Sequence, residues 1–256
     1  MFVYREEIMP VLEKYKKFLE DKGFDVYAVT LKGSQNYNLA DEESDVDATA
    51  IILPTLEQLI KGEKFSKKYK FDEGELLIND IYTFSKLLEK GNHSWIEMVN
   101  SRYMIGDLSI FKDCVSNPKA LKGMMLEKRK ALLKRYPSRA EYIDKFGFDP
   151  KQLHHIFRLY DIVESMVDRL TMETVITKRQ YVVYEDKYDI DFMMNMKRNG
   201  KFFGKLMSPE EAENEANICI KFAEHLLKFC SFEKNIIDYR TIEKIIKENI
   251  IKNINK

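Results

Sequence analysis

The sequence has no excess of charge of either sign. Its 42 Lys and Arg balance 42 Asp and Glu, for a formal net charge of zero at pH 7. A globally basic nucleic-acid binder is therefore not indicated, and only local patches remain for such a role. Cysteine is scarce: Cys114, Cys219 and Cys230 are an odd number, and none belongs to a C-x-x-C pair. That gives no thiolate-zinc or disulfide framework and fits a reducing compartment. No apolar run approaches the ~20 residues that cross a bilayer. The opening Met1-Phe2-Val3-Tyr4-Arg5 does not read as a signal peptide. A cytoplasmic protein is expected, with no membrane partner and no oligomeric state indicated. Internal repeats and long disordered linkers are also lacking. What remains is 256 residues with 45% hydrophobic content, ample for a core in one large domain or two small ones.

Periodicity predicts an amphipathic helix over 5–22, with Ile8, Val11, Leu12, Tyr15, Phe18 and Leu19 on one face. Strands are predicted over 26–32 and 46–53, and Pro54 ends the second. Thr55 caps a short helix reaching Gly62. A strand over 64–71, a turn at 72–75 and a core strand over 76–82 follow. Thr83 is expected to cap the next helix, and a helical segment follows from Trp95 to about Arg102. From about 108 onward the chain reads as almost all helix. Asp149-Pro150 and Ser208-Pro209-Glu210-Glu211 are helix starts. Gly200 to Gly204 is a break, and 236–256 is a final helix. The fold class is α+β: a small sheet with flanking helices over 1–107, then a helical domain over 108–256.

The stretch richest in chemistry is Gly33-Ser34 followed by Asp45-Val46-Asp47. Two carboxylates at strand spacing point to one side of a sheet. The Gly-Ser turn offers N–H groups and a hydroxyl suited to phosphate. A calcium EF-hand loop starting at Asp41 fails, because its sixth and twelfth positions are Val46 and Ile52 rather than Gly and Glu. An aspartyl-phosphate phosphatase wants its nucleophile at the end of an apolar strand, whereas here the strand comes after Asp45. Nucleotidyl transfer fits: two carboxylates at a strand start, a Gly-Ser turn upstream and a third acid on a neighbouring strand, around two metal ions ~3.5–4 Å apart. Asp80, within Leu76-Leu77-Ile78-Asn79-Asp80, is expected to be that third acid, since a carboxylate in an apolar strand is costly unless paired or metal-bound.

Lys151, His155 and Arg158 fall at i, i+4 and i+7 and share one helix face. They read as donors to nucleotide phosphates, Arg as a bidentate fork and Lys as a point charge. His155 either hydrogen-bonds a phosphate or holds an acid in place. His154 lies off the centre of that face. Tyr37 is expected to pack its turn rather than stack on a base. The basic run from Lys128 to Lys134 is a solvated face or a contact for RNA.

Together these residues resemble the DNA polymerase β-like nucleotidyltransferase superfamily, whose signature of Gly-Ser, then Asp-apolar-Asp, then a later Asp is supplied by Gly33-Ser34, Asp45-Val46-Asp47 and Asp80. Three stretches narrow the resemblance to the nucleotidyltransferases related to those of bacterial RNA-repair operons. They are Gly33 to Leu39, Lys90-Gly91-Asn92 with Trp95 to Met98, and Gly147-Phe148-Asp149-Pro150-Lys151 with His155 to Leu159. The likeness runs by motif over roughly 5–230. It departs at Gln35, where the family has Arg, at Asn38, where it has Gly, and at Lys32, where it has a small or apolar residue. The resemblance implies Mg²⁺ or Mn²⁺ held by Asp45, Asp47 and Asp80. Gly33 and Ser34 would cradle the β- and γ-phosphates of an NTP such as ATP, with Lys151, His155 and Arg158 closing from the helical domain. The acceptor would be an RNA hydroxyl, on a tRNA or a repair end. The alternatives are transfer to a protein or small molecule, and a non-catalytic nucleotide- or RNA-binding module.

Overall fold

The computed structural model describes residues 5–41, 44–166, 182–228, 230 and 232–255. The chain forms two compact units, one of residues 3–115 with 234–256, the other of residues 116–233.

The first unit is built on a mixed sheet. Its strands are β1 (Asp25–Leu31), β2 (Ala48–Leu53), β3 (Ser66–Phe71), β4 (Gly74–Asp80) and β5 (Met104–Gly106), in the order β3-β4-β2-β1-β5. The β2–β4 pair is parallel and the others are antiparallel. All six residues of β2 are buried, as befits a central strand covered on both faces. Helix α1 (Ile8–Asp21) buries Ile8, Leu12, Tyr15 and Leu19 completely, the 4-3-4 spacing of one helical face. A second cluster joins Ala28, Ile51 and Leu53 to helices α3 (Ile81–Glu89), α4 (His93–Val99) and α10 (Tyr239–Ile254). At its centre Phe84 meets Trp95 and Phe111 edge-on, with centroids 5.5 and 5.3 Å away, an arrangement aromatic quadrupoles favour. A short helix, α2 (Leu56–Lys61), has the Thr55–Gln58 capping box.

Two differences from the sequence expectation appear here. Met104–Gly106 forms an edge strand against β1, too short to leave a periodic signal. The last helix belongs with the sheet unit, not with the helical domain placed over 108–256. Ile242 and Ile246 of α10 enter the sheet unit's core, and Asn249 and Asn253 each donate to Asp25 Oδ2, at 2.9 and 2.8 Å.

The second unit contains α5 (Pro118–Leu132), α6 (Ala140–Phe146), α7 (Pro150–Ser165), α8 (Lys187–Asn199) and α9 (Pro209–Leu227). A two-residue hairpin, β6 (Lys201–Phe202) and β7 (Lys205–Leu206), stands where a break was expected. Leu121, Met125 and Leu132 of α5, Ile156, Leu159 and Val163 of α7, and Ala212, Ala216 and Ile220 of α9 share its core. The predicted starts are present as real caps: Asp149 accepts from Lys151 N, and Ser208 and Glu211 form a capping box. Burial pushes the Cys114 thiol up to about 11 and the Cys219 thiol up to about 12, which disfavours the thiolate that metal ligation needs.

Candidate functional site

The sheet register gathers the acidic stretch and the Gly-Ser turn at one end. Leu31 pairs with Ala48, and Ala48 with Leu76. The turn after β1, the segment before β2 and the start of β4 therefore lie side by side. The ladder runs past the strand limits: Lys32 N donates to Asp47 O at 2.8 Å, and Val46 N to Glu73 O at 2.7 Å. Asp47 Oδ1 accepts from Glu75 N at 2.9 Å. Gly74 lets the strands approach this closely, since a β-carbon there would sit 2.7 Å from the Val46 carbonyl oxygen.

Two buried side chains fix the acidic segment from behind. Tyr15 of α1 donates its hydroxyl to Val46 O at 3.1 Å. Burial first, then the negative charges of Glu73, Asp47 and Asp45, push that hydroxyl up to about 12. Gln35 donates to the Ser44 and Asp45 carbonyls at 3.2 and 3.3 Å. Gln35 thus braces the loop carrying Asp45.

Gly33 and Ser34 open a 3-10 turn, Ser34–Tyr37. Gly33 has φ +93°, a left-handed value that favours glycine. Asn38 closes the turn at φ 62°, and Asn is the residue after Gly best suited to this region. Asn38 therefore holds a backbone conformation that Gly would also adopt. Tyr37 is 3% exposed, as the packing expectation required. Lys32 is exposed, and its charge helps hold the Glu75 carboxyl low, behind the larger effects of the Lys68 hydrogen bond and charge and of Lys70.

Asp80 is elsewhere. The parallel register sets it opposite Ile52, five residues along β4 from Glu75 and so roughly 16 Å down the strand. Its carboxylate is occupied: it accepts from Phe65 N at 2.8 Å, Thr83 N at 2.8 Å and Thr83 Oγ1 at 2.7 Å. Asp80, not Thr83, caps α3. A carboxylate inside an apolar strand needs partners, and this one finds them in a helix start and a loop N–H. The acid that lies beside Asp47 is Glu75, whose carboxylate is 2.8 Å from Lys68 Nζ and 3.8 Å from Lys70 Nζ.

Among the described residues no group of three or more His, Cys, Asp and Glu side chains is gathered to hold a metal ion. Asp45 and Asp47 nonetheless supply a pair of hard oxygen donors, and Mg²⁺ commonly takes one or two carboxylates and completes its shell with water and substrate phosphate.

Lys151, His155 and Arg158 lie together on α7 in the second unit, with Arg158 only 5% exposed. His154 belongs with them. It is 1% exposed, and neither ring nitrogen has a hydrogen-bond partner. Burial, then the charges of Lys197, Arg158 and Lys151, hold its pKa well down; burial, then His154, Arg158, Lys128 and Lys151, do the same for His155. Both rings are therefore neutral. Lys128 is half-buried on α5 between the core residues Met125 and Leu132, and Lys197 of α8 is 6% exposed. Burial, then Arg158 and Arg139, hold the Lys128 pKa down. Asp149 is the counter-charge, 3.2 Å from Arg139. Three other basic residues of α5 meet acids: Lys122 is 2.9 Å from Glu224, Arg129 3.0 Å from Glu213 and Lys130 3.1 Å from Glu127. That pairing favours a solvated, internally paired face over an RNA contact.

No family model and no curated protein matches the chain. Among solved structures it is similar to a nucleotidyltransferase-like protein from Exiguobacterium sibiricum 255-15, at 17% identity, 84% coverage of this chain and 72% of the other, with a TM-score of 0.26.

Proposed function

We propose that the chain is a nucleotidyltransferase that moves an NMP from an NTP to an acceptor hydroxyl and releases pyrophosphate. The observation that carries this is the sheet end beside the Gly33-Ser34 turn, where Lys32 N–H donates to the Asp47 carbonyl, Glu75 N–H to the Asp47 carboxylate and the Gln35 side chain to the Asp45 carbonyl. Acids on adjacent strands beside a phosphate-suited turn are what attack on an α-phosphorus requires: charge neutralisation and positioning. The acceptor oxygen forms a bond to Pα while the bond from Pα to the bridging oxygen of the pyrophosphate breaks. Asp45 and Asp47 would hold Mg²⁺ or Mn²⁺, which would supply charge neutralisation at the phosphates and the acceptor oxygen. Gly33 and Ser34 hold the β- and γ-phosphates. Glu75 takes the third-carboxylate role that the sequence had assigned to Asp80.

In the second unit Lys151 and Arg158 bind phosphate oxygens, and Lys128 and Lys197 add positive charge. Neutral His155 is a hydrogen-bonding group rather than a general base. The acceptor in this proposal is RNA.

The test is incubation of the full chain with Mg²⁺, each labelled NTP in turn and total RNA. Label should enter RNA from one NTP at least, and Asp45→Asn and Asp47→Asn should abolish it with melting temperature unchanged. Label entering protein or a small molecule instead moves the acceptor to that class. No labelling and no NTP binding rejects the enzyme.

A further inference from the structure

The β6–β7 hairpin breaks a local rule. Phe202 pairs with Lys205, so Phe203 and Gly204 form a two-residue loop. Both have positive φ, 46° and 79°, as a type I′ turn demands. Asn-Gly is the favoured pair there. A bulky residue at positive φ is an outlier, and left-handed backbone costs any residue with a β-carbon free energy. Little burial offsets that cost. The Phe203 ring touches Phe192 and Phe202, with centroids 5.2 and 4.7 Å away, yet the residue stays 70% exposed. Backbone strain that local packing does not offset is a reason to look for a role.

A cavity of about 270 Å³ adjoins it, lined by Tyr188, Asp191, Phe192, Asn195, Lys201 and Phe203 among others. Tyr188 is 66% exposed. Two exposed rings thus border a space below the usual range for drug-sized ligands and suited to one planar heterocycle. Asn195 carries an amide donor, its Oδ1 already accepting from Asn199 Nδ2 at 3.2 Å, and Asp191 a carboxylate acceptor. These are the groups that read the edges of nucleobases, while aromatic rings take their faces. Lys201 adds a cation for an attached phosphate. Beneath, Phe157, Phe192 and Phe202 pack at 5.5–6.3 Å, a rigid floor for the turn.

We propose that this cavity is a nucleobase-binding site, with Phe203 and Tyr188 stacking on the base and Asn195 and Asp191 hydrogen-bonding its edge. The choice of a nucleobase over other planar heterocycles rests on the nucleotidyl-transfer proposal. The base comes either from a free nucleotide or from a single-stranded RNA.

Two fluorescent probes separate these sources: 2-aminopurine riboside, and a ten-residue oligoadenylate carrying one 2-aminopurine. Both are titrated with the full chain in EDTA, so catalysis plays no part. Stacking should quench the probe. Phe203→Asn restores the favoured turn pair, so it should leave the melting temperature equal or higher while weakening binding about tenfold or more. Asn195→Ala should weaken it without the turn change. Quenching of the riboside identifies a free nucleotide's base, and quenching of the oligomer alone identifies a base within a strand. The site is overturned if neither probe is quenched, or if Phe203→Asn binds as the wild type does. The Asp47→Asn chain should quench normally. If it does so while retaining labelling activity, nucleotidyl transfer at Asp47 fails and the base site stands. If Phe203→Asn binds normally while Asp47→Asn loses labelling, the base site fails and transfer stands.

Discussion

Glu75 donates its main-chain N–H to Asp47 Oδ1 at 2.9 Å, so the acid before β2 and the acid at the start of β4 are neighbours on parallel strands. Asp80, on the same strand, is committed to capping α3. The two acids of β4 should therefore respond oppositely to substitution. Glu75→Gln should lower nucleotide labelling on the order of 10²-fold, by analogy with loss of one transition-state contact, with little change in melting temperature. Asp80→Ala should cost about 2–3 kcal/mol in urea unfolding, from a lost cap and an unsatisfied Phe65 N–H. Labelling per folded molecule should survive. Full labelling by Glu75→Gln would return the third acid to the open question.

Tyr15 makes the acidic end sensitive to alkali. Its hydroxyl is pushed to about 12 in the folded chain against 10.0 unperturbed. Between those values the unfolded chain loses this proton while the folded chain keeps it. Stability is thus intact below pH 10 and falls as pH rises toward 12, by at most about 1.4 kcal/mol per pH unit. Tyr15→Phe should remove that slope while costing about 1 kcal/mol at neutral pH for the hydrogen bond to Val46. Chemical denaturation of the two chains at pH 8, 10 and 11 measures the difference.

Asn235 is a buried clasp. Its amide donates to Leu88 O at 2.7 Å and Val115 O at 2.8 Å, and its Oδ1 accepts from Val115 N at 2.8 Å. Asn235→Ala leaves those main-chain groups unsatisfied and should cost about 3 kcal/mol. Asn235→Asp should be at least as damaging, because a carboxylate would face two carbonyls. Hydrogen exchange should localise the loss to α3 and α10 and spare α7.

Lys128 is half-buried on α5, and its pKa is held down by burial, Arg158 and Arg139. Exchanging a half-buried cation for an apolar residue of similar volume removes its desolvation cost. Lys128→Met should raise stability by about 1 kcal/mol in buffer and reduce the melting-temperature gain on adding tripolyphosphate. An unaltered gain would remove Lys128 from phosphate binding.

The sequence was informative where signals are local. Asp149-Pro150 and Ser208 with Glu211 name helix starts because a cap acts over three residues. The Gly33-Ser34 turn and the Asp45, Asp47 spacing were legible for the same reason. The capping role of Asp80 was not legible because its partners, Phe65 and Thr83, gather only once β3, β4 and α3 are assembled. Glu75 was hidden inside Asp72-Glu73-Gly74-Glu75, which reads as a turn; β4 starts at Gly74, and only the β2–β4 register shows which acid adjoins Asp47. His154 was left out because it lies off the centre of that face, although it is only about 40° from Arg158 around the helix. The destination of α10 has no local signature, since any amphipathic helix is compatible with either unit.

That destination sets an order of events during synthesis. Residues 116–233 interrupt the sheet unit, so the helical unit leaves the ribosome whole while the sheet still lacks Ile242, Ile246 and the Asn235 clasp. At ~5–20 residues per second the unfinished sheet waits on the order of ten seconds, with part of the α3 and α4 surface uncovered. During that interval the nascent chain is the form most dependent on chaperones and most open to misassociation with its own copies.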